Sequence, residues 1–155
     1  MAEKGKLLGE ILIEKNLITP EQLKEALEEQ KLTKEFLGEI LIKKGRIKEK
    51  DLLQVLSEQF NIPFVSLKSR YIDWEFVKLF SASLIRDYRC FPVKKDEWSV
   101  TFAITNPLDS RVLQKAEEEA KGLKVKWVLV CQDDINDVIR RYQEYMRGNI
   151  SKFFK

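Results

Sequence analysis

The chain contains no histidine. That removes at once the imidazole base, the usual catalytic triad and the commonest metal ligand. Only two cysteines occur, Cys90 and Cys131. They are too few for a zinc site or a disulfide framework, and they read as partly buried thiols in a reducing cytoplasm. No Gly-x-x-x-x-Gly-Lys-Ser/Thr stretch is present to cradle a phosphate, and no Gly-x-Gly-x-x-Gly turn. No apolar run approaches the roughly 20 residues of a membrane-spanning helix, and the N-terminus lacks a signal-peptide core. Carboxylates are plentiful, but Glu28, Glu29 and the run Glu117, Glu118, Glu119 look like solvated helix faces. The expectation is a protein with no catalytic residues, no metal and no direct membrane span.

What is present fits a soluble globular protein. Of 155 residues, 44% are apolar and 34% charged, enough for one real core or two small ones. Residues 1–60 hold 11 Lys+Arg against 12 Asp+Glu, and residues 61–155 hold 17 against 13. A surplus of that size is no nucleic-acid footprint, which needs a dense basic stripe. The C-terminal cations Arg140, Arg141, Arg147, Lys152 and Lys155 interleave with Tyr142, Tyr145, Phe153 and Phe154. That pattern suits an amphipathic helix end, with contact to RNA or an acidic membrane surface as the alternative.

The main signal is a duplication. Residues 7–30, LLGEILIEKNLITPEQLKEALEEQ, align without a gap on residues 36–59, FLGEILIKKGRIKEKDLLQVLSEQ, at a constant offset of 36 − 7 = 29. Each copy reads as a helix, a tight turn and a second helix. Leu8, Ile11 and Leu12 share a face, as do Leu37, Ile40 and Leu41. The patterns halt at Asn16 and Gly45, the residue types that best tolerate the left-handed conformation after a helix. Thr19-Pro20-Glu21-Gln22 predicts a capping box; its counterpart Lys48 is a poor cap. The second helices carry Leu23, Ala26, Leu27 and Gln30, then Leu52, Val55, Leu56 and Gln59. Each glutamine continues an apolar stripe, so its amide needs a partner, either a helix end or a ligand. Two copies are too few for a solenoid and are expected to pack on each other.

After Asn61-Ile62-Pro63 the pattern changes. Short strands are expected over Phe64–Leu67, Cys90–Lys94, Trp98–Thr105 and Lys124–Val130, with Lys95-Asp96-Glu97 as a hairpin turn. Helices are expected from Asp73 to Phe80, over Ser83–Tyr88, from Asn106-Pro107-Leu108-Asp109 to Ala120 with Gly122 as the stop, and from Asp133 or Asp134 onward. The fold class is therefore α+β. A duplicated helix-turn-helix subdomain, residues 1–62, precedes an α/β sandwich subdomain, residues 63–147. The sandwich has a mixed sheet with helices on one face, and residues 148–155 form a C-terminal tail.

The duplicated Leu-Gly-x-x-Leu/Ile-Leu/Ile…Leu…Leu-x-x-Gln unit, followed by Asn61-Ile62-Pro63-Phe64-Val65-Ser66-Leu67, resembles a known module. It is similar to the N-terminal domain of type II secretion and type IV pilus assembly ATPases, including its cyclic di-GMP-binding version. Arg89-Cys90-Phe91-Pro92-Val93, Thr105-Asn106-Pro107-Leu108-Asp109 and Ile139-Arg140-Arg141-Tyr142 extend the resemblance over residues 7–145. In that family the ATPase motor is a downstream domain. The resemblance thus implies a non-catalytic regulatory or docking module that acts with an ATPase domain in cis or in trans.

Two functions follow from the resemblance. As a docking module, the chain would tether the motor to an inner-membrane platform or linker protein, and would be cytoplasmic and peripheral to that membrane. Leu7 and Phe36 are then the docking candidates. As a sensor, it would bind cyclic di-GMP through Leu8, Gly9, Leu12, Leu23, Leu27 and Gln30 of the first copy. The second copy would supply Leu37, Gly38, Leu41, Leu52, Leu56 and Gln59. Sensor members begin each copy with Arg-Leu-Gly, and here Leu7 and Phe36 stand where the arginines would. An arginine both stacks and donates paired hydrogen bonds, and each one lost costs about 1.5–3 kcal/mol of ligand affinity. A nucleic-acid reading of the helix pairs meets Glu25, Glu28, Glu29 and Glu58, which repel phosphate. The duplication also reads as core alone, with the partner surface on the α/β part.

Overall fold

The helix stop signals at Asn16 and Gly45 act as the sequence implies. The computed structural model describes residues 7–152, with side chains as far as 148. In it Asn16 and Gly45 take φ of 59° and 71°. Asn16 N–H donates to Ile13 O at 2.9 Å and Leu17 N–H to Leu12 O at 3.0 Å. Gly45 N–H and Arg46 N–H repeat this on Ile42 O and Leu41 O, at 3.0 and 2.9 Å. These bonds satisfy the last carbonyls of α1 (Leu8–Glu14) and α3 (Leu37–Lys43). The second helices follow as α2 (Pro20–Thr33) and α4 (Glu49–Phe60). The Thr19 hydroxyl accepts from Gln22 N–H while Gln22 Oε1 accepts from Thr19 N–H, a complete capping box. Lys48 makes no side-chain cap. In its place α4 buries Leu52, Leu53, Val55 and Leu56, whereas α2 buries only Ala26.

The chain divides into two compact units at Ile62/Pro63. In the helical unit α2 packs on α3 and α1 on α4. Leu12, Ala26, Ile40 and Leu41 are completely enclosed.

In the second unit Asp73 caps α5 (Trp74–Val77) and Ser81 caps α6 (Ala82–Arg86), each accepting a backbone N–H. β1 (Phe91–Lys95) pairs antiparallel with β2 (Ser99–Ile104), and β2 pairs parallel with β3 (Lys124–Leu129), in the order β1-β2-β3. The parallel pair needs a crossover, which α7 (Ser110–Glu119) provides. Pro92, which has no N–H to donate, sits on edge strand β1 beside a bulge.

Three expectations are corrected here. All six residues of β2 are buried, so the sheet is covered on both faces rather than one. Val100, Phe102, Ala103 and Ile104 form a near-continuous apolar run, and only a one-sided strand would alternate. Phe102 meets the rings of Phe80 and Trp127 at 5.4 and 5.9 Å, while Ala103 joins the core of Ile135, Val138 and Ile139. Phe64–Leu67 is no strand but a single bridge from Phe64 to Leu129. Its continuation is diverted: Leu67 N–H and the Ser66 hydroxyl both donate to Asp134 Oδ2, at 2.7 and 3.1 Å. Finally, α8 (Gln132–Lys152) runs through most of the segment expected to be a tail. Gly148 lowers helix propensity by only about 1 kcal/mol and does not end it. Phe153, Phe154 and Lys155 lie outside the described residues.

Candidate functional site

The two Leu-Gly pairs sit at the first and second positions of α1 and α3, inside the helices rather than in turns. Leu7 and Phe36 are the residues before those helices, with extended backbone and no side-chain cap bond. Glycine is needed for packing at both positions. A Cβ on Gly9 would lie 2.6 Å from Leu23 Cδ1, and one on Gly38 would lie 2.6 Å from Leu52 Cδ2. Each glycine therefore seats a leucine of its own repeat's second helix, and the offset of 29 carries one pair onto the other.

The ion pairs obey the same offset. Lys15 Nζ lies 3.1 Å from Glu58, and Lys44 Nζ lies 3.2 Å from Glu29 and 3.1 Å from Glu25. Adding 29 turns Lys15 into Lys44 and Glu29 into Glu58, so each repeat's first helix is bridged to the other repeat's second. The helical unit is thus approximately two-fold symmetric. Lys44 and, more weakly, Arg46 hold the Glu25 carboxyl below its ordinary range, and Lys15, then Gln54, does the same for Glu58. Hydrogen bonds to Glu25 and Glu29 raise Lys44, and Glu35 raises Lys43. The bridges were missed in the sequence, although both partners of each fall inside the aligned repeats.

The symmetry is broken at the surface. Leu7 is 69% exposed, whereas Phe36 is half-buried. Leu27 is 40% exposed, while its counterpart Leu56 is 2%. Of the remaining candidates, Leu8, Gly9, Leu12, Gly38, Leu41, Leu52 and Leu56 are buried, and Leu23, Leu37, Gln30 and Gln59 half-buried. The Gln30 amide is engaged inside the unit, donating to Glu35 O at 3.1 Å.

In the second unit, burial raises the Cys90 thiol far above its ordinary value, with a smaller push from the Glu119 charge, so it stays protonated. The aromatic residues of α8 serve packing: Tyr142 is buried and Tyr145 stacks on Trp74 at 5.1 Å. Arg140 is held by Asp137 and Glu144 at 2.6 and 2.9 Å. A groove of about 540 Å³ lies between α6 and α8, beside Arg86, Tyr142, Met146 and Arg147. Among the described residues no group of three His, Cys, Asp or Glu side chains is placed to hold a metal. Nor is any described helix long and apolar enough to cross a membrane.

A duplicated helical unit followed by a helix-covered three-stranded mixed sheet defines the N-terminal domain class of type II secretion and type IV pilus ATPases. The chain belongs to the MshEN family: the model of the MshEN domain matches residues 60–149, more than half its length. The fold is similar to a structure of MshE with cyclic di-GMP, at 26% identity and a TM-score of 0.80. That match covers 88% of this chain and 99% of the other, more than the second unit alone can supply. Two structures of the N-terminal domain of XpsE, both at 19% identity, show the same fold. Their TM-scores are 0.69 and 0.57, with 87% and 92% of this chain covered and 92% and 98% of theirs. No curated protein matches.

Proposed function

We propose that the chain is a regulatory and docking module of a type II secretion or type IV pilus ATPase. It tethers the motor, in cis or in trans, to a platform or linker protein of the inner membrane. The observation that carries this reading is Leu7. It is 69% exposed, although Leu8 and Leu12 beside it are buried, and it replaces the arginine of the sensor pattern. An exposed leucine at the start of a rigidly packed helix suits an apolar partner pocket and offers nothing to a phosphate. The module is then cytoplasmic and held at the membrane by its partner. In a binding assay with the partner's cytoplasmic segment, Leu7→Asp is expected to weaken binding at least tenfold, because burying one leucine is worth about 1.5–3 kcal/mol. Unchanged binding would exclude Leu7 from the interface.

The likeness to MshE with cyclic di-GMP favours a second reading, a cyclic di-GMP sensor. The glycine-seated scaffold is kept in both repeats, with the leucines and glutamines of the sensor pattern at matching positions. Against it stand the residues that would grip the ligand: Leu7 and Phe36 donate no hydrogen bond, and Gln30 already serves Glu35.

A further inference from the structure

In the second unit, α6 and α8 each contribute a row of side chains to one groove. Ala82 and Arg86 are four residues apart on α6, as are Tyr142 and Met146, and Gln143 and Arg147, on α8. Residues at that spacing share a helix face, and these line the groove of about 540 Å³. Its base is apolar. Tyr142 is 3% exposed, and Ala82 and Met146 are half-buried against the core to which it belongs. Arg86, Gln143 and Arg147 are exposed and give the groove a polar rim.

The two arginines differ from most others in the chain by what they lack. Arg46, Arg111, Arg140 and Arg141 each face a carboxylate, and Arg89 donates to Asn136. Arg86 and Arg147 have no carboxylate partner among the described residues. The acids nearest them in sequence do not line the groove. Glu144 is taken by Arg140 at 2.9 Å, and Asp87 is the exposed residue that ends α6. One guanidinium thus comes from each helix beside an apolar base, and the groove supplies no counter-charge.

We propose that this groove docks a peptide segment of a partner protein in which an apolar side chain is flanked by carboxylates. The apolar side chain covers Ala82 and Met146, and the carboxylates pair with Arg86 and Arg147. Charge complementarity selects an acidic segment, and the guanidinium fork matches a carboxylate with two parallel hydrogen bonds. Methionine is unbranched and adapts its shape to the side chain that covers it. Nucleic acid is disfavoured, because the one aromatic ring here, that of Tyr142, is buried and offers no face for a base to stack on. A flat bilayer does not enter a concave groove, whereas a peptide does. The site lies in the other unit from Leu7 and does not rest on the docking role of that residue.

The test is selection of a phage-displayed library of random peptides on the whole chain, then titration of the leading synthetic peptide by fluorescence anisotropy. The variants are Arg86→Gln/Arg147→Gln and, as a charge control, Arg70→Gln. Arg70 also has no carboxylate partner among the described residues but does not line the groove. All three positions are exposed, and far-UV circular dichroism checks that the fold is kept. Enriched peptides are expected to carry an apolar residue between Asp or Glu residues. The leading one should bind the double variant at least about tenfold more weakly, because charge-assisted hydrogen bonds are lost, and should bind Arg70→Gln as it binds the native chain. The proposal is overturned if no peptide is enriched, or if the enriched peptides lack acidic residues. An equal affinity for the double variant, or an equal loss in Arg70→Gln, would also overturn it. So would amide NMR shifts at α6 and α8 that oligothymidylate or anionic vesicles produce and no peptide does, which would assign the groove to a phosphate ligand.

Discussion

Replacing Gly38 with alanine places a methyl group 2.6 Å from Leu52 Cδ2 and 3.2 Å from Cδ1. Leu52 is 7% exposed and has little room to turn, so the strain is that of overpacking, about 1–3 kcal/mol. Gly38 lies in a helix, where alanine is intrinsically better by about 1 kcal/mol. The expected net effect is destabilisation by about 1 kcal/mol. At Gly9 the methyl meets Leu23 at the same 2.6 Å, but Leu23 is half-buried and can swing outward. Gly9→Ala should therefore be close to neutral. The decisive background is Leu52→Val, which removes the Cδ atoms at a cost of about 1 kcal/mol. There Gly38→Ala should become stabilising, a reversal that double-mutant analysis reads as coupling of about 2 kcal/mol. Urea unfolding followed by far-UV ellipticity reports all helices. Tryptophan fluorescence reports the second unit only, because the tryptophans are Trp74, Trp98 and Trp127. If Gly38→Ala stabilises the protein equally in both backgrounds, the packing account of the glycines is wrong.

Other outcomes follow from single contacts. Thr19→Ala breaks the capping box and should cost about 1 kcal/mol, while Lys48→Ser should add a few tenths or more at the uncapped start of α4, both by urea unfolding. Asp134→Ala strands the buried Leu67 N–H and should cost about 1–3 kcal/mol by the same assay; no loss would mean the segment finds another acceptor. Hydrogen bonds from the Trp98 and Ser99 backbones, then the Ser99 hydroxyl, hold the Asp96 carboxyl below its ordinary 3.8. The folded value is the lower one, so its contribution is complete above 3.8 and is lost as pH falls through the folded value. NMR titration of the Asp96 carboxyl should show the depressed midpoint, and Asp96→Asn should flatten the acid limb of the stability curve.

Where a feature depends on neighbours in sequence, the sequence disclosed it. The left-handed stops at Asn16 and Gly45 and the Thr19 capping box are chain-local, and each appears where its residue type demands. Features set by contacts between elements were harder to read. Gly9 and Gly38 entered as ligand-contact candidates through the resemblance, yet the side chains packed against them are Leu23 and Leu52, at the same offset of 29 as the glycines. Phe64–Leu67 has strand composition, but a carboxylate 67 residues away in sequence draws the Leu67 N–H out of the sheet. The burial of all of β2 was not read from the sequence, because Ser99 and Thr101 give its first half the alternation of a one-sided strand. Among the candidate residues, side-chain type located the stripe but not its exposure, and Leu27 and Leu56 are equivalent in sequence and opposite in burial.

The central claim is that the helical unit keeps the sensor scaffold without the residues that grip the dinucleotide. Calorimetric titration with cyclic di-GMP tests it most directly, on the native chain and on Leu7→Arg/Phe36→Arg. The account predicts no micromolar binding by the native chain, and binding gained by the double variant. Micromolar or tighter binding by the native chain would contradict it and make the protein a sensor.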